Sequence, residues 1–252
     1  MTRIVVIGDV GGFAGELARV IGPVADDPGV LVVQVGDLVD RGPDSPGVLA
    51  LVGRRLEREP RHWVQLIGNH EDQYLGGRVF WREPLADGDA ELLRTWWLKD
   101  LMRVATAVRA ADGEEFLLTH AGLGVDAWRM LGEPVTAATA ADLLNIRPDS
   151  LLWDDRGPLW ADAGSEVYES WRQSRLPMPF SQIHGHSTIV DYRGRTWTCG
   201  GRIRQRSTVD WTARHTVTRL GGAHFVGVDP RHGTTGASTW APLVLEGATL
   251  LA

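Results

Sequence analysis

At 252 residues the chain can bury one large core, and its 43% apolar and 23% charged composition is that of an ordinary soluble globular protein. A net charge of −6 argues against a protein built mainly to hold nucleic acid, and no apolar run near the first residue is long enough for a leader or a membrane span. The single cysteine, Cys199, excludes an internal disulfide; nothing nearby activates its thiol, and a reducing cytoplasm is the expected location.

The first 75 residues alternate between strand and helix patterns. Arg3–Ile7 is expected as a strand, and Phe13–Ile21 places Leu17, Val20 and Ile21 on one helical face. Val30–Val35 is a second strand. Ser45–Glu59 reads as a helix: Ser45 can cap it, Pro46 suits the first turn, and Val48, Leu49, Val52 and Leu56 share a face. Trp63–Ile67 is a third strand. Strand–helix–strand at this spacing predicts a largely parallel sheet inside a sandwich, with ligands collecting beyond the carboxyl ends of its strands. Residues 76–113 break the alternation. Glu91–Val108 carries Leu92, Leu93, Trp96, Trp97, Leu101 and Val104 at three-to-four spacing and is expected as a helical cap. Phe116–Thr119 returns as a strand. Residues 123–180 read as irregular and partly helical. Ser181–Ile183 is a strand, and from 188 onward short β-type runs between glycine-rich turns predict mostly antiparallel pairing.

Five of these apolar runs end in polar residues. They lead in turn into Gly8-Asp9, Gly36-Asp37, Gly68-Asn69-His70-Glu71, His120 and His184-Gly185-His186. Asp9, Asp37, Asn69, His120 and one of His184 or His186 form a set of carboxylate, amide and imidazole donors without thiolate. Such a set suits one or two divalent ions (Mn²⁺ first; Fe, Zn²⁺, Ni or Co as alternatives) better than a structural zinc cage. A carboxylate shared by two ions would hold them about 3.5–4 Å apart, the spacing of two-metal phosphoester hydrolysis. Asp37, in the middle of the set, is the natural shared ligand.

The order of these motifs resembles the calcineurin-like metallophosphoesterases, in the branch of serine/threonine protein phosphatases and diadenosine-tetraphosphate hydrolases. That branch carries GDxHG, GDxxDRGxxS, GNHE, HAG or HGG, and a final GH. This chain has Gly8-Asp9-Val10-Gly11-Gly12, a full match from Gly36 to Ser45, Gly68-Asn69-His70-Glu71, His120-Ala121-Gly122 and Gly185-His186. The resemblance implies a single domain over 1–252, a four-layer α/β/β/α sandwich with a helical cap at about 76–113 and further cap or irregular segments at about 123–180. It implies that Asp9 and Asp37 hold a first metal and that Asp37, Asn69, His120 and His186 hold a second. Arg41 would clamp a phosphate oxygen. His70 would protonate the leaving oxygen, with Asp40 orienting the imidazole and raising its pKa. Arg156 is the candidate for a second phosphate clamp, with Arg172 or Arg175 in reserve.

Gly11 departs from the family pattern, which has a metal-binding histidine there, and Thr188 stands where a second histidine could follow His186. Three arrangements remain open. Water completes a weak first site; or His184, two residues before His186 and on the same strand face, fills in; or the site holds one metal and is slow or inactive. The expected function is metal-dependent phosphoester hydrolysis, in the manner of a protein-phosphatase-like phosphomonoesterase. Dinucleoside polyphosphates or nucleotides are the alternative substrates, and an impaired phosphate-binding regulatory module is the alternative of another class. The expected partner is a phosphorylated substrate (phosphoprotein, nucleotide or small phosphate ester), not a membrane or nucleic acid. Trp96 and Trp97 are expected in the core of the cap. Arg202, Arg204 and Arg206 alternate, so on a strand they would face one way, as a solvated face or an anion-binding ridge. His62, His215, His224 and His232 are expected to be surface or structural residues.

Overall fold

The computed structural model describes residues 3–24, 27–232 and 239–252. In chain order the strands are β1 (Arg3–Ile7), β2 (Val30–Gln34), β3 (Trp63–Leu66), β4 (Met102–Arg103), β5 (Ala105–Arg109), β6 (Glu115–Thr119), β7 (Ser181–His184), β8 (Val190–Asp191), β9 (Thr196–Trp197), β10 (Ser207–Asp210), β11 (His215–Leu220), β12 (Ala223–Gly227), β13 (Leu243–Glu246) and β14 (Thr249–Leu250). The helices are α1 (Ala14–Ile21), α2 (Ser45–Arg58), α3 (Asn69–Asp72), α4 (Asp87–Leu98), α5 (Val125–Met130), α6 (Ala137–Asn145), α7 (Asp149–Leu152), α8 (Glu169–Ser174) and α9 (Gly201–Arg204). One sheet has the order β13-β1-β2-β3-β4, and a larger one runs β10-β11-β12-β7-β6-β5-β14. β1, β2, β3 and β4 are parallel, as are β12, β7 and β6, while the remaining pairs are antiparallel.

The continuous apolar runs follow from burial on both strand faces. On β1, Ile4 and Val6 pack with Leu118, Ile183 and Val226 of the other sheet, while Val5 and Ile7 pack with Leu17, Val48 and Val52 of α1 and α2. β6 does the same on its side: Phe116 and Leu118 meet the first sheet, and Leu117 meets Ala140, Leu144 and Trp171 of the helices beyond. The result is four layers, α/β/β/α. α2 starts at an Asp44 cap, whose side chain accepts from Gly47 N–H at 2.8 Å, rather than at Ser45. Such a cap contributes about 1 kcal/mol. Among the described residues no helix is long and apolar enough to cross a membrane.

The helix expected over 91–108 is shorter and placed elsewhere. α4 ends at Leu98, Asp100 turns the chain at φ 55°, and the next nine residues supply β4 to one sheet and β5 to the other. The apolar spacing of Leu101 and Val104 serves strand burial instead. α4 lies in the outer helical layer: Ala90, Leu93 and Trp96 join the α1–α2 cluster, and a Cβ on Gly53 of α2 would sit 3.2 Å from the Trp96 ring. Trp97 lies under the Arg147 guanidinium at 3.5 Å. Neither ring reaches the polar edge where the loops meet. From 188 onward the pairing is antiparallel as expected, except that β12 runs parallel to β7. That exception brings a further strand end to the polar edge.

Candidate metal centre

The loops after β1 and β2 interlock through backbone. Val10 N–H and Gly11 N–H both donate to the Asp37 carbonyl, Gly12 N–H to Leu38, and Gly42 N–H to Gly11, at 2.7–2.9 Å. The packing leaves no room for side chains: a Cβ on Gly12 would lie 2.7 Å from the Asp40 carbonyl oxygen, and one on Gly42 would lie 2.6 Å from that of Gly11. Asp37, Asp40, Arg41 and His186 all take left-handed backbone conformations, with φ between 55° and 68°. That costs a non-glycine residue on the order of 1 kcal/mol each. Such strain persists only where the surroundings fix it, and here it gathers at one edge. Glu71 does much of the fixing. Its buried carboxylate accepts from the N–H groups of Asp37 and Gly68 at 2.8 Å, Leu38 at 2.7 Å and Val39 at 3.4 Å. It thereby ties the second loop to the third.

Four lone-pair donors converge beyond these strands. Asn69 Oδ1 is 3.0 Å from both His120 Nε2 and His186 Nδ1, those two nitrogens are 3.2 Å apart, and Asp37 Oδ1 is 3.2 Å from His120 Nε2. The tautomers follow from the other ring atoms. His120 Nδ1 donates to the Val35 carbonyl at 2.8 Å, and His186 Nε2 donates to that of Trp160 at 3.0 Å. In each neutral ring the nitrogen that faces inward is therefore the one with the lone pair. Separations of this size would let these donors share one divalent ion. Burial works against a charge on His120, but Asp37 and Asp9 outweigh it and push the imidazole up to about 9. This position draws a cation, and a divalent ion answers more of the converging donors than one proton can. Burial, and then the neighbouring His120, pull His186 down to about 3, so it stays a neutral donor.

A second group of charges lies beside the first. Asp9, Asp37 and His120 offer ligand atoms within 4.8 Å of one another. Asp9 Oδ1 accepts from His186 N–H and Asp37 Oδ1 from His70 N–H, both at 3.0 Å. Their Oδ2 atoms are buried without a hydrogen-bond partner. Both face Arg41, at 3.6 Å from Asp9 Oδ2 and 3.3 Å from Asp37 Oδ2. Asp229 follows β12 and joins this group. Gly8 packs so closely on the Val228 carbonyl that a Cβ would lie 2.0 Å from its oxygen, which sets Asp229 next to the Asp9 loop. Burial first, and then the charges of Asp229 and Asp37, push the Asp9 carboxyl well above its usual range. Asp37 is held well below it: burial opposes the charge, and His120, His70 and Arg41 favour it.

His70 stands on the other side of Asp37. Its Nδ1 donates to Asp40 Oδ2 at 2.7 Å, and its Nε2 lies 3.8 Å from Asp37 Oδ2. Asp40 also accepts from Gln73 Nε2 at 2.8 Å and from the Tyr74 hydroxyl at 3.1 Å, while its own N–H donates to Ser45 Oγ at 2.9 Å. The Phe80 and Trp81 rings lie edge-on to the imidazole, with centroids at 4.8 and 5.3 Å, and Phe80 meets Trp160 at 5.1 Å. A cavity of about 900 Å³ opens beside the site, lined by Arg41, His186, Arg202, Asp229 and Arg231 among others.

A family model described as calcineurin-like phosphoesterase matches residues 2–219. The chain belongs to the calcineurin-like phosphoesterases. Two curated relatives show partial matches. A serine/threonine-protein phosphatase 1 from Salmonella typhimurium strain LT2 is 43% identical over 76 residues, 29% of this chain and 32% of its own. A symmetrical bis(5'-nucleosyl)-tetraphosphatase from Baumannia cicadellinicola is 33% identical over 122 residues, 46% of this chain and 41% of its own. The chain thus spans about a third to two-fifths of the length of these relatives. The solved structure of a cold-active protein-tyrosine phosphatase from a psychrophilic Shewanella shares the fold, with TM-score 0.57 and 18% identity over 98% of this chain and 76% of that one.

Against the calcineurin-like phosphoesterase pattern, Asp9, Asp37, Asn69, His120 and His186 are brought together, and so are His70, Asp40 and Arg41. Two expected residues lie elsewhere. His184 is buried on β7 with Nε2 against the Tyr168 hydroxyl at 2.6 Å and Nδ1 at its neighbour Gly185 carbonyl, so both nitrogens are engaged away from the donor set. Arg156 has a side chain 76% exposed and pairs with Glu166 at 3.8 Å. The arginine ridge does not form, because Gly201–Arg204 is a helical turn. Arg202 lines the cavity, Arg204 approaches Trp197 at 5.9 Å, and Arg206 donates back to the Arg202 carbonyl. His232, expected as a surface or structural residue, is buried near the site. Asp229, Glu71, Gln73 and Tyr74 are the residues that sequence reasoning missed.

Proposed function

We propose that this chain is a metal-dependent hydrolase of phosphomonoesters, of the protein-phosphatase-like kind. The observation that carries this reading is the convergence of Asn69 Oδ1, His120 Nε2 and His186 Nδ1 beside Asp37, a set that one divalent ion satisfies more fully than the single proton His120 can carry. Asp37, Asn69, His120 and His186 would hold a divalent cation, which would supply positive charge for a phosphoryl oxygen and a more acidic water. Arg41 lines the cavity and keeps N–H groups to offer a phosphoryl oxygen, for which the guanidinium fork is suited. His70 delivers a proton from Nε2 to the departing oxygen, because Nδ1 is committed to Asp40. Asp40 is itself fixed by Gln73 and Tyr74, so the imidazole is held in one orientation.

A second reading, a nucleotide or dinucleoside polyphosphate as substrate, has support of its own. Phe80 and Trp81 lie edge-on to His70, Trp160 extends that aromatic surface from Phe80, and Arg202 and Arg231 add cationic lining to the cavity. Base stacking contributes about 1–3 kcal/mol. Hydrolysis of an aryl phosphate with Mn²⁺, compared between wild type and the Asp37→Asn, His70→Ala double variant, tests the reaction. Wild-type turnover well above the variant is expected; equality under every metal tried makes the chain a phosphate-binding module instead. Comparing a phosphopeptide with a dinucleoside tetraphosphate at equal concentration then separates the two substrates.

A further inference from the structure

Gly11 removes a side chain from one half of the site, and the space is filled. A Cβ at position 11 would already touch Arg41 Cδ at 3.5 Å and Arg41 Cβ at 3.6 Å. Any larger side chain there would share its space with the arginine stem. The stem laid over Gly11 carries the guanidinium to Asp9 Oδ2 and Asp37 Oδ2, the two buried oxygens that lack hydrogen-bond partners. His184 cannot substitute as a ligand while Tyr168 and Gly185 engage both its nitrogens. The residues present supply an imidazole-rich donor set for one divalent ion, at Asp37, Asn69, His120 and His186. For a second they leave the carboxylates of Asp9 and Asp37, which already face Arg41.

We infer that the Arg41 guanidinium occupies the place of the first cation, so that the site works with one divalent ion and one fixed organic cation. This rests on the metal-site reading above. Charge balance supports it. Aside from the His70–Asp40 pair, Glu71, which four backbone N–H groups hold, and Asp72, which burial pushes up to about 7, the buried acids among the described residues are Asp9, Asp37 and Asp229. With all three ionised, a divalent ion and a guanidinium balance them, and a second divalent ion would leave a surplus in a site where uncompensated charge is costly. Asp229 has a role here that the family motifs do not give it. Its Oδ1 accepts from Arg231 N–H at 2.7 Å, which fixes a third carboxylate in the cavity that Arg41 lines. Gly11 is then matched to Arg41 and does not mark a decayed site.

The test is a count of bound Mn²⁺ by equilibrium dialysis, with the electron paramagnetic resonance spectrum of the same samples. Wild type is expected to hold one ion per chain with an uncoupled spectrum. Arg41→Lys keeps the charge and stays at one. Arg41→Met strips the counter-charge from Asp9 and Asp37 and gains a second ion, with an exchange-coupled signal. His120→Ala loses the resident ion, and circular dichroism verifies that each variant is folded. Two ions in wild type, or one ion in folded Arg41→Met, overturns the inference. Turnover of an aryl phosphate in the same samples bears on the reaction alone. One ion without turnover removes the proposed reaction and keeps this inference; two ions with turnover does the reverse.

Discussion

The two halves of the site occupy one edge of the sheets and treat positive charge differently. On the Asn69–His120–His186 side, each ring has its second nitrogen tied to a backbone carbonyl, so the inward nitrogens are the ones that can serve a cation. On the Asp9–Asp37–Asp229 side the cation is part of the chain, delivered by an arginine whose stem covers a glycine. The difference teaches that a lost ligand need not be replaced by another ligand. A buried pair of carboxylates can be served by a guanidinium, provided a neighbouring position is small enough to let it in.

The largest effect expected from breaking this contrast is at His120. His120→Ala should weaken Mn²⁺ binding beyond the roughly 10–100-fold lost when a mere supporting partner is removed. Asp9→Asn should leave the tightly bound ion in place, because Asp9 serves the Arg41 side. Isothermal titration with Mn²⁺ reads both, and equal losses would merge the two halves. Next is the acid. His70→Asn should lower kcat by roughly 10²–10⁴-fold on an alkyl phosphate, much less on p-nitrophenyl phosphate, whose leaving group needs no proton. Metal content should not change. Loss of the ion in this variant would place His70 among the ligands.

Much of this edge was legible in the sequence. β1, β2 and β3 are apolar runs buried on both faces, and the residues after them are the ones whose loops meet. What was not legible depended on distant partners. Leu101 and Val104 keep helical spacing, yet pairing of Met102 with Gln65 and of Ala105 with Thr119 makes strands of that stretch. Asp229 had a readable signal: Phe225–Val228 is an apolar run ending in a carboxylate, the same pattern that marks Asp9 and Asp37. It passes unnoticed because nothing in the sequence says that β12 lies parallel to β7 with its end at the site. Arg156 misled for the opposite reason. It follows a Leu-Trp segment, but its side chain points to solvent.

Smaller effects sharpen the surroundings of the acid and the rings. Burial raises the Asp72 carboxyl from 3.8 to about 7, against a hydrogen bond from Trp160 Nε1, and its Oδ1 has no partner. Its folded pKa lies above its unfolded one, so the unfolded state releases the proton first as pH rises. Stability is complete below about pH 4 and declines toward pH 7. Asp72→Asn should therefore raise the melting temperature at pH 8 and leave it unchanged at pH 4. The gain at pH 8 should be on the order of 1–2 kcal/mol. A gain that does not depend on pH would mean that the carboxyl is not the cause. Tyr74→Phe removes one donor to Asp40, worth about 1 kcal/mol. It should reduce kcat by about 5-fold on alkyl phosphates without altering KM. A change in KM alone would take Tyr74 out of the acid's support.

The central claim concerns where positive charge sits. It is tested most directly by anomalous scattering at the manganese edge from crystals grown with excess Mn²⁺. A single peak bonded to His120 Nε2, His186 Nδ1, Asn69 Oδ1 and Asp37, with Arg41 still against Asp9, is the predicted result. A second peak of similar height between Asp9 Oδ2 and Asp37 Oδ2, with the guanidinium displaced, would contradict it.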